Sequence, residues 1–123
     1  MKKPSLKVCH YSDIPEESGG PETTGVIQQR LIDKSVDAPP TFELLLVKIE
    51  PGGRTHNHSH SYEHQQYFLE GDGEVQIDGK RYPVAPGYVV LIPPDAQHTC
   101  VNTGNKPLKF LCGFPIPDEK KHG

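Results

Sequence analysis

The fold of this chain is decided by one stretch, PGGRTHNHSHSYEH at residues 51–64. Four of the seven histidines, His56, His58, His60 and His64, fall within nine residues of it. Because side chains alternate between the faces of a strand, a strand here would point His56, His58 and His60 the same way. Neutral imidazole is a common protein ligand for transition metals. The stretch therefore indicates a metal site, and the alternative is a solvated histidine-rich loop.

The composition of the 123-residue chain suits one small domain made of strands. Hydrophobic residues make up 33%, Trp is absent, and there are 12 Gly and 13 Pro, which favours many turns and disfavours long helices. The net charge of −3 gives no basic patch, so we expect no nucleic-acid partner. The longest apolar runs, at residues 44–47 and 88–92, are too short to span a membrane, so we expect no membrane partner.

The cysteines and the first residues of the chain indicate the cellular compartment. Cys9, Cys100 and Cys112 form an odd set without C-x-x-C spacing, which favours reduced thiols over a disulfide framework. The two lysines after Met1 are not followed by an apolar signal region. We therefore expect a cytoplasmic protein.

Short segments separated by Gly and Pro turns account for the rest of the chain. The predicted strands cover residues 26–32, 42–50, 54–60, 64–70, 74–78, 80–84, 88–92, 97–102 and 108–114. Eight or nine such strands predict an all-β sandwich or small closed barrel. The predicted organisation is an extended N-terminal segment at 1–24, a β-barrel domain at 25–117 and a charged tail at 118–123.

Two motifs in this chain resemble those of the cupin family. The first, G-x5-H-x-H-x(3,4)-E-x6-G, matches at Gly52, His58, His60 and Gly71, with His64 at the position of the Glu. The second, G-x5-P-x-G-x2-H-x3-N, matches at Gly87, Pro93, His98 and Asn102, with Asp95 in place of the middle Gly. The 15 residues between the motifs fit the spacer of small single-domain microbial cupins. The resemblance implies an all-β jelly-roll barrel, also called a double-stranded β-helix.

The resemblance also implies a site for one divalent transition-metal ion (Fe, Mn, Ni, Zn or Cu). Its expected ligands are His58, His60, His64 and His98. Strand parity supports His64, because it shares a face with Gln66 and Phe68, which should fill the barrel. If a bulge shifts the register, Glu63 or Gln65 takes its place.

Four neutral ligands would leave the dipositive charge of the ion uncompensated. The site should then favour a small anionic chelator such as a carboxylate, an enolate or a 2-oxo acid. The expected function is a metalloenzyme, dioxygenase-like, acting on an enol, catechol or oxo-acid type molecule. The alternatives are a metal-dependent isomerase or lyase, and a non-catalytic binding or sensing module.

Further residues near the motifs are candidates for the pocket. Tyr62 and Glu63, between the ligands, are the acid or base candidates, although solvated loop residues are common at such positions. His56 is expected to support the ligands or to line the barrel. The remaining candidates for the pocket lining, with ordinary core packing as the alternative, are Gln66, Phe68, Tyr88 and Cys100.

A homodimer, often with exchanged N-terminal strands, is the assembly that the resemblance implies. Tyr67 and Leu69 should point away from the barrel, which would expose apolar surface. The segment at 42–50 is apolar on both faces, so its outer face should be covered by a partner chain or by the N-terminal segment.

Overall fold

The computed structural model describes residues 6–39 and 41–116, so the expected tail at 118–123 lies outside the described residues. Nine strands form in this part of the chain. They are β1 (Glu17–Ser18), β2 (Thr24–Ile32), β3 (Phe42–Arg54), β4 (His64–Glu70), β5 (Gly73–Ile77), β6 (Lys80–Val84), β7 (Val89–Ile92), β8 (His98–Asn102) and β9 (Leu108–Pro115). The only helical element among the described residues is a 3₁₀ turn at Tyr11–Asp13. None of their helical segments is long and apolar enough to cross a membrane.

All strand pairs are antiparallel, and β3 joins the two halves of the fold. The strand order is β6-β5-β8-β3-β9-β4-β7, and β2 pairs with both β1 and β3. Along residues 42–49, β3 pairs with β9, and at Arg54 it pairs with Val101 of β8. The sheet therefore curls into a jelly roll, and the predicted all-β architecture is confirmed.

The core lies inside this curl, where alternate residues of each strand point inward. Its most completely buried apolar side chains, each at most 1% exposed, are Phe68, Ile49, Ile92, Leu108 and Val75. Burial of such side chains stabilises the fold by roughly 1.5–3 kcal/mol each. Phe68 stacks on Phe110 with ring centroids 4.7 Å apart, so it belongs to the core. Of the two interpretations of Phe68 from the sequence, core packing is the one that the structure supports, since Phe68 is fully buried and does not line the cavity described below.

The predicted alternation of β4 is confirmed. Gln66 and Phe68 are buried, while Tyr67 is 47% and Leu69 40% exposed. His64, the first residue of β4, is on the inner face. Alternation from His64 to Leu69 therefore orients this strand as its sequence indicates, and it ends where the register with β9 shifts between Phe68 and Glu70.

The N-terminal segment covers part of the outer face of the sheet. The Gln29 side-chain amide donates to the carbonyls of Tyr11 and Ile14, both at 2.9 Å. Tyr11 and Leu46 line the same groove on this face, and Leu46 is only 8% exposed. The segment before β2 therefore shields the outer apolar row of β3.

Two local predictions around the histidines were wrong. The expected turn at residues 51–53 is a bulge, because β3 continues to Arg54 while the register with β2 shifts between Thr24 and Val26. The expected strand at 54–60 is irregular from Thr55 onward, and one isolated bridge joins His58 to His98. Two carbonyls of the irregular stretch at residues 55–63, those of His56 and Tyr62, accept hydrogen bonds from the rings of His58 and His60.

Two motif residues, Asp95 in the turn before β8 and Asn102 at the end of β8, have structural roles. Asp95 adopts φ +70°, a left-handed conformation that suits Gly and is tolerated by Asp, and its amide donates to the carbonyl of His60 at 2.7 Å. The buried Asn102 amide donates to the carbonyls of Ile49 and Lys106, both at 2.8 Å. Asn102 thus ties the turn after β8 to β3, and Asp95 ties the turn before β8 to the histidine loop.

Candidate metal centre

Three histidines from two separate segments come together at one end of the barrel. His58 and His60 lie in the irregular loop at residues 55–63, and His98 begins β8. Each offers one ring nitrogen, and these nitrogens lie within 4.8 Å of one another. The ring centroids are 4.7 Å apart for His58 and His98, and 4.9 Å for His60 and His98. These residues form what we call the histidine cluster.

Backbone carbonyls fix the orientation of all three rings. The contacts are His58 Nδ1 to the His56 carbonyl at 2.8 Å, His60 Nδ1 to the Tyr62 carbonyl at 2.7 Å, and His98 Nδ1 to the Ala96 carbonyl at 2.9 Å. Because a carbonyl oxygen only accepts, each Nδ1 must carry the proton. The lone pair then lies on Nε2, which is the tautomer that a metal-binding histidine needs.

The buried nitrogens of the cluster fit a divalent metal ion. Nε2 of His60 and Nε2 of His98 are buried and have no hydrogen-bond partner. A buried acceptor without a partner costs about 1–3 kcal/mol, and a bound cation would remove that cost. The cluster could therefore hold a metal ion, and imidazole donors alone do not select among Fe, Ni, Zn and Cu.

Burial lowers the pKa of two of the three cluster histidines. Desolvation is the main cause that lowers the pKa of His60 and of His98, and the backbone hydrogen bonds oppose it only in part. Neutral imidazole is the form that binds metal, so proton competition is weakened at these two residues.

His64 lies beside the cluster. Its ring centroid is 4.5 Å from that of His60 and 5.2 Å from that of His98. Burial, followed by the neighbouring His60, His98 and His58, lowers the pKa of His64 to about 3. The ring is therefore neutral at ordinary pH and adjacent to the three clustered rings.

The two expected substitutes for His64 lie apart from the cluster. The Gln65 side chain is exposed and donates to the Glu63 carboxylate at 2.9 Å. Among the described histidine, cysteine, aspartate and glutamate residues, the group whose ligand atoms converge is His58, His60 and His98, so it contains neither Glu63 nor His64. Glu63, also an acid or base candidate, is engaged in this contact with Gln65.

Two threonines that the sequence analysis did not identify hold the histidine loop against β8. Thr99 donates its hydroxyl to the Thr55 carbonyl at 2.7 Å, and the Cys100 amide donates to the Thr55 hydroxyl at 2.8 Å. His58 and His98 exchange backbone hydrogen bonds of 3.1 and 2.8 Å. A threonine carries no positional signal in a single sequence, so these contacts emerge only from the fold.

A cavity of about 260 Å³ extends from the histidines into the barrel. Its apolar wall includes Leu45, Val47, Val75, Ile92 and Phe110. The expected pocket residues Gln66, Cys100 and His56 also line it. Mostly apolar walls with a few polar groups are typical of small-molecule sites.

Tyr88, another expected pocket residue, is on the surface. Its side chain is 51% exposed and is absent from the cavity lining. The backbone amide of Tyr88 donates to the Ala85 carbonyl at 3.1 Å, which closes a turn, and β7 begins only at Val89. The alternation that would have pointed Tyr88 inward has therefore not yet begun.

His56 lies outside the cluster, at the wall of the cavity. Its Nε2 contacts the Glu22 carboxylate at 2.9 Å, and its ring stacks on His58 with centroids 5.1 Å apart. His56 thus connects the segment before β2 to the histidine loop, while its carbonyl orients His58.

Tyr62 lines the cavity and stacks on His60, with ring centroids 4.0 Å apart. Burial raises the pKa of Tyr62, with smaller contributions from Cys112 and Glu43, so the phenol is protonated. Burial also raises the pKa of the Cys100 and Cys112 thiols to about 12, which makes them poor nucleophiles. Tyr62 is therefore the candidate proton donor that the structure places beside the cluster.

The comparison with protein families identifies the class to which this fold and cluster belong. Residues 45–114 match the Cupin_2 family, described as the cupin domain, so the chain belongs to the cupin domain family. A similar solved structure is the polyketide cyclase RemF from Streptomyces resistomycificus, with a TM-score of 0.84 and 28% identity over 92% of this chain and 81% of that one. Another is a predicted oxalate decarboxylase from Thermotoga maritima, with a TM-score of 0.80 and 27% identity over 90% of this chain and all of that one.

Individual curated proteins are also similar in sequence. The L-ectoine synthase of Bordetella petrii is 35% identical over 78 residues, which are 60% of this chain and 58% of that enzyme. The dimethylsulfoniopropionate lyase DddW of Ruegeria pomeroyi is 33% identical over 103 residues, 83% of this chain and 67% of that enzyme. The chain thus spans less than two thirds of the ectoine synthase and about two thirds of the lyase.

Loss of one cluster ring should abolish metal binding. We expect protein loaded with Zn²⁺ or Fe²⁺ and then desalted to retain one ion per chain, and His98→Ala to retain less than a tenth of that, because two ligands bind far more weakly than three. Elemental analysis measures this, with His10→Ala as the control, since His10 is exposed and far from the cluster in sequence. Equal metal content in wild type and His98→Ala would contradict the site.

The metal-free protein should lose stability as the pH falls. Since the pKa of His64 is lowered from 6.5 to about 3, the unfolded chain binds a proton there over this range and the folded chain does not. As the pH is lowered below about 6.5, the free energy of unfolding should therefore decrease, by up to about 1.4 kcal/mol per pH unit for this group.

The variant His64→Leu removes this proton uptake from the unfolded chain. In urea unfolding of metal-stripped protein, its loss of stability between pH 7 and pH 5 should be smaller than that of wild type by up to about 2 kcal/mol. His10→Leu should show the wild-type dependence. Parallel curves for wild type and His64→Leu would contradict a buried, neutral His64.

Proposed function

We propose that this cupin is a metal-dependent enzyme that binds a small anionic molecule and catalyses elimination or cyclisation, as a lyase or cyclase. The observation that carries the proposal is the buried, unpartnered Nε2 of His98, which lines a mostly apolar cavity, together with the buried, unpartnered Nε2 of His60 in the same cluster. Open coordination toward such a cavity is typical of catalytic rather than structural metal sites.

His64 completes the proposed site as the fourth ligand. Its ring adjoins those of His60 and His98, its pKa is low enough to keep it neutral, and it occupies the Glu position of the family motif. One divalent transition ion, of Fe, Mn, Ni, Zn or Cu, would then be bound by His58, His60, His64 and His98.

The charge of this site favours an anionic ligand. Four neutral imidazoles would leave a dipositive charge in an apolar cavity, and a carboxylate, enolate or 2-oxo acid compensates it. The bound ion would act as a Lewis acid that polarises a substrate oxygen. The cavity of about 260 Å³ limits the substrate to a small molecule, and its apolar walls exclude water from it.

Tyr62 supplies the proton transfer in the proposed reaction. Its phenol is protonated in the resting enzyme, and its ring packs directly on the proposed ligand His60. It could therefore protonate a leaving group or a developing enolate at the edge of the cavity. Glu63, in contact with Gln65, is not assigned a role.

Two relatives that match most of this chain support elimination or cyclisation as the reaction. The dimethylsulfoniopropionate lyase matches 83% of this chain, and the polyketide cyclase matches 92% of it with the same fold. Oxygen-dependent ring or enol cleavage is the second candidate, because gentisate 1,2-dioxygenase 1 of Aquipseudomonas alcaligenes is 33% identical over 70 residues. That match covers 20% of the dioxygenase, so it supports the second candidate less.

A substrate panel distinguishes these reactions. Metal-loaded protein should convert a small carboxylate with a leaving group on its β-carbon, dimethylsulfoniopropionate included, as followed by proton NMR, without oxygen uptake at an electrode. Tyr62→Phe should lower kcat by about 10²–10⁴-fold with unchanged metal content, whereas His64→Ala should lose metal. Oxygen consumption with enolic or catecholic acids would instead favour the dioxygenase, and binding without turnover of any acid would favour a sensing module.

We also propose a homodimer formed through the outer face of β4 and β7. Tyr67 pairs with Val89 and Gln65 with Leu91 across these strands, and Tyr67, Val89 and Leu91 are 47%, 76% and 60% exposed. An apolar patch of this kind on an edge strand is typical of an interface.

Light scattering at micromolar concentration should give twice the 13.6 kDa mass of one chain. Leu91→Glu should give a monomer that keeps its metal, while Leu6→Glu, at an exposed position outside this face, should remain dimeric. A monomeric wild type would refute the dimer.

The proposed location is the cytoplasm, with no nucleic-acid or membrane partner. All three cysteines are free thiols, two of them buried, which suits a reducing compartment. The net charge of −3 also disfavours binding to nucleic acid.

A further inference from the structure

The buried amide of Gln66 has no role in the fold or in the histidine cluster. Gln66 lies on β4 and is only 6% exposed, and its Oε1 is buried without a hydrogen-bond partner. Its Nε2 donates to the Cys112 sulfur at 4.0 Å, a weak contact. An oxygen left in this state costs about as much as a lost hydrogen bond, so it destabilises the ligand-free fold.

The surroundings of Gln66 indicate where its partner comes from. The side chain lines the cavity, and apolar residues such as Leu45, Val75 and Phe110 line the same space. Cys112, its one neighbour in the hydrogen-bond network, has a protonated thiol because burial raises its pKa to about 12. A ligand that enters the cavity would therefore meet Gln66 as a polar group among apolar ones.

We propose that Gln66 Oε1 accepts a hydrogen bond from a hydroxyl or amino group at the far end of the substrate. This inference rests on the proposed function, in which an anionic group of the same substrate lies at the histidines. Such a site binds analogues that lack the donor less tightly, because the buried acceptor then stays unpaired.

The position of Gln66 sets the length of such a substrate. Gln66 is two residues beyond His64 on the same face of β4, which corresponds to about 6.6 Å along the strand. A carboxylate joined to a terminal hydroxyl through a chain of about four carbons spans a similar distance. The substrate class is therefore a short, largely apolar acid with a hydrogen-bond donor at its end.

A set of matched acids tests the inference. The probes are 5-hydroxypentanoate, its parent pentanoate, and 5-methoxypentanoate, which can accept but not donate a hydrogen bond. Isothermal titration of Zn²⁺-loaded protein should show 5-hydroxypentanoate binding about fivefold more tightly than either analogue, as expected for one net hydrogen bond. The shorter 4-hydroxybutyrate should lose most of this advantage.

Variants at two adjacent positions assign the preference to Gln66. Gln66→Met keeps a similar side-chain length without the amide, so it should bind 5-hydroxypentanoate and pentanoate equally and retain wild-type metal content. The thermal midpoint of metal-free Gln66→Met should equal or exceed that of wild type, because an unpaired buried amide has been removed. The control Gln65→Met, on the exposed outer face, should keep the fivefold preference.

The outcomes separate the inference from the proposed function. Equal affinity of wild type for 5-hydroxypentanoate, pentanoate and 5-methoxypentanoate, with binding that still depends on Zn²⁺, would overturn the role of Gln66 alone. A thermal midpoint for Gln66→Met several degrees below wild type would also overturn it, since the amide would then support the fold. If no acid binds the Zn²⁺-loaded protein, the proposed function is wrong and the inference fails with it.

Discussion

The geometry of the site depends on hydrogen bonds from three histidine Nδ1 atoms to backbone carbonyls. The carbonyls belong to residues two positions from each histidine, His56, Tyr62 and Ala96. Each bond fixes the tautomer and the direction of one ring, so all three rings present Nε2. Two of these carbonyls, those of His56 and Tyr62, lie in the loop at 55–63, which is not part of a regular strand. The loop thus supplies both the rings of His58 and His60 and the carbonyls that orient them.

The loop nevertheless needs support, and β8 provides it. The exchange of hydrogen bonds between His58 and His98, together with the Thr55–Thr99 contacts, aligns the loop with a regular strand. Because β8 is paired with β5 along its whole length, His98 starts from a rigid framework. Precise placement of ligands by rigid strands and short loops is what a small metal site requires. The jelly roll thus contributes orientation, and the loop contributes two of the three clustered histidines.

The sequence predicted the strands well where alternation and Gly or Pro turns coincide. The boundaries of β4 and β6 agree with the prediction, and the inward face of β4 follows from parity alone. The motif spacing also identified the clustered histidines, since it reflects the distance along the chain between paired strands. Tyr88 was mispredicted because its amide closes a turn, and the strand predicted at 54–60 was wrong because residues 55–60 are irregular. The Thr55 and Thr99 contacts join distant segments, and no local pattern encodes them.

The presence of histidine at position 64 has a consequence for how the site forms. A carboxylate buried beside His60 and His98 would have to be neutralised or compensated before metal arrives, because burial of an unpaired charge is costly. His64 avoids this cost, since its pKa of about 3 keeps it uncharged in the metal-free fold. The cluster rings His60 and His98 are held toward the same neutral state by their lowered pKa values. In the proposed site, an ion would therefore enter a barrel in which the lowered pKa values of His60, His64 and His98 already favour neutral rings.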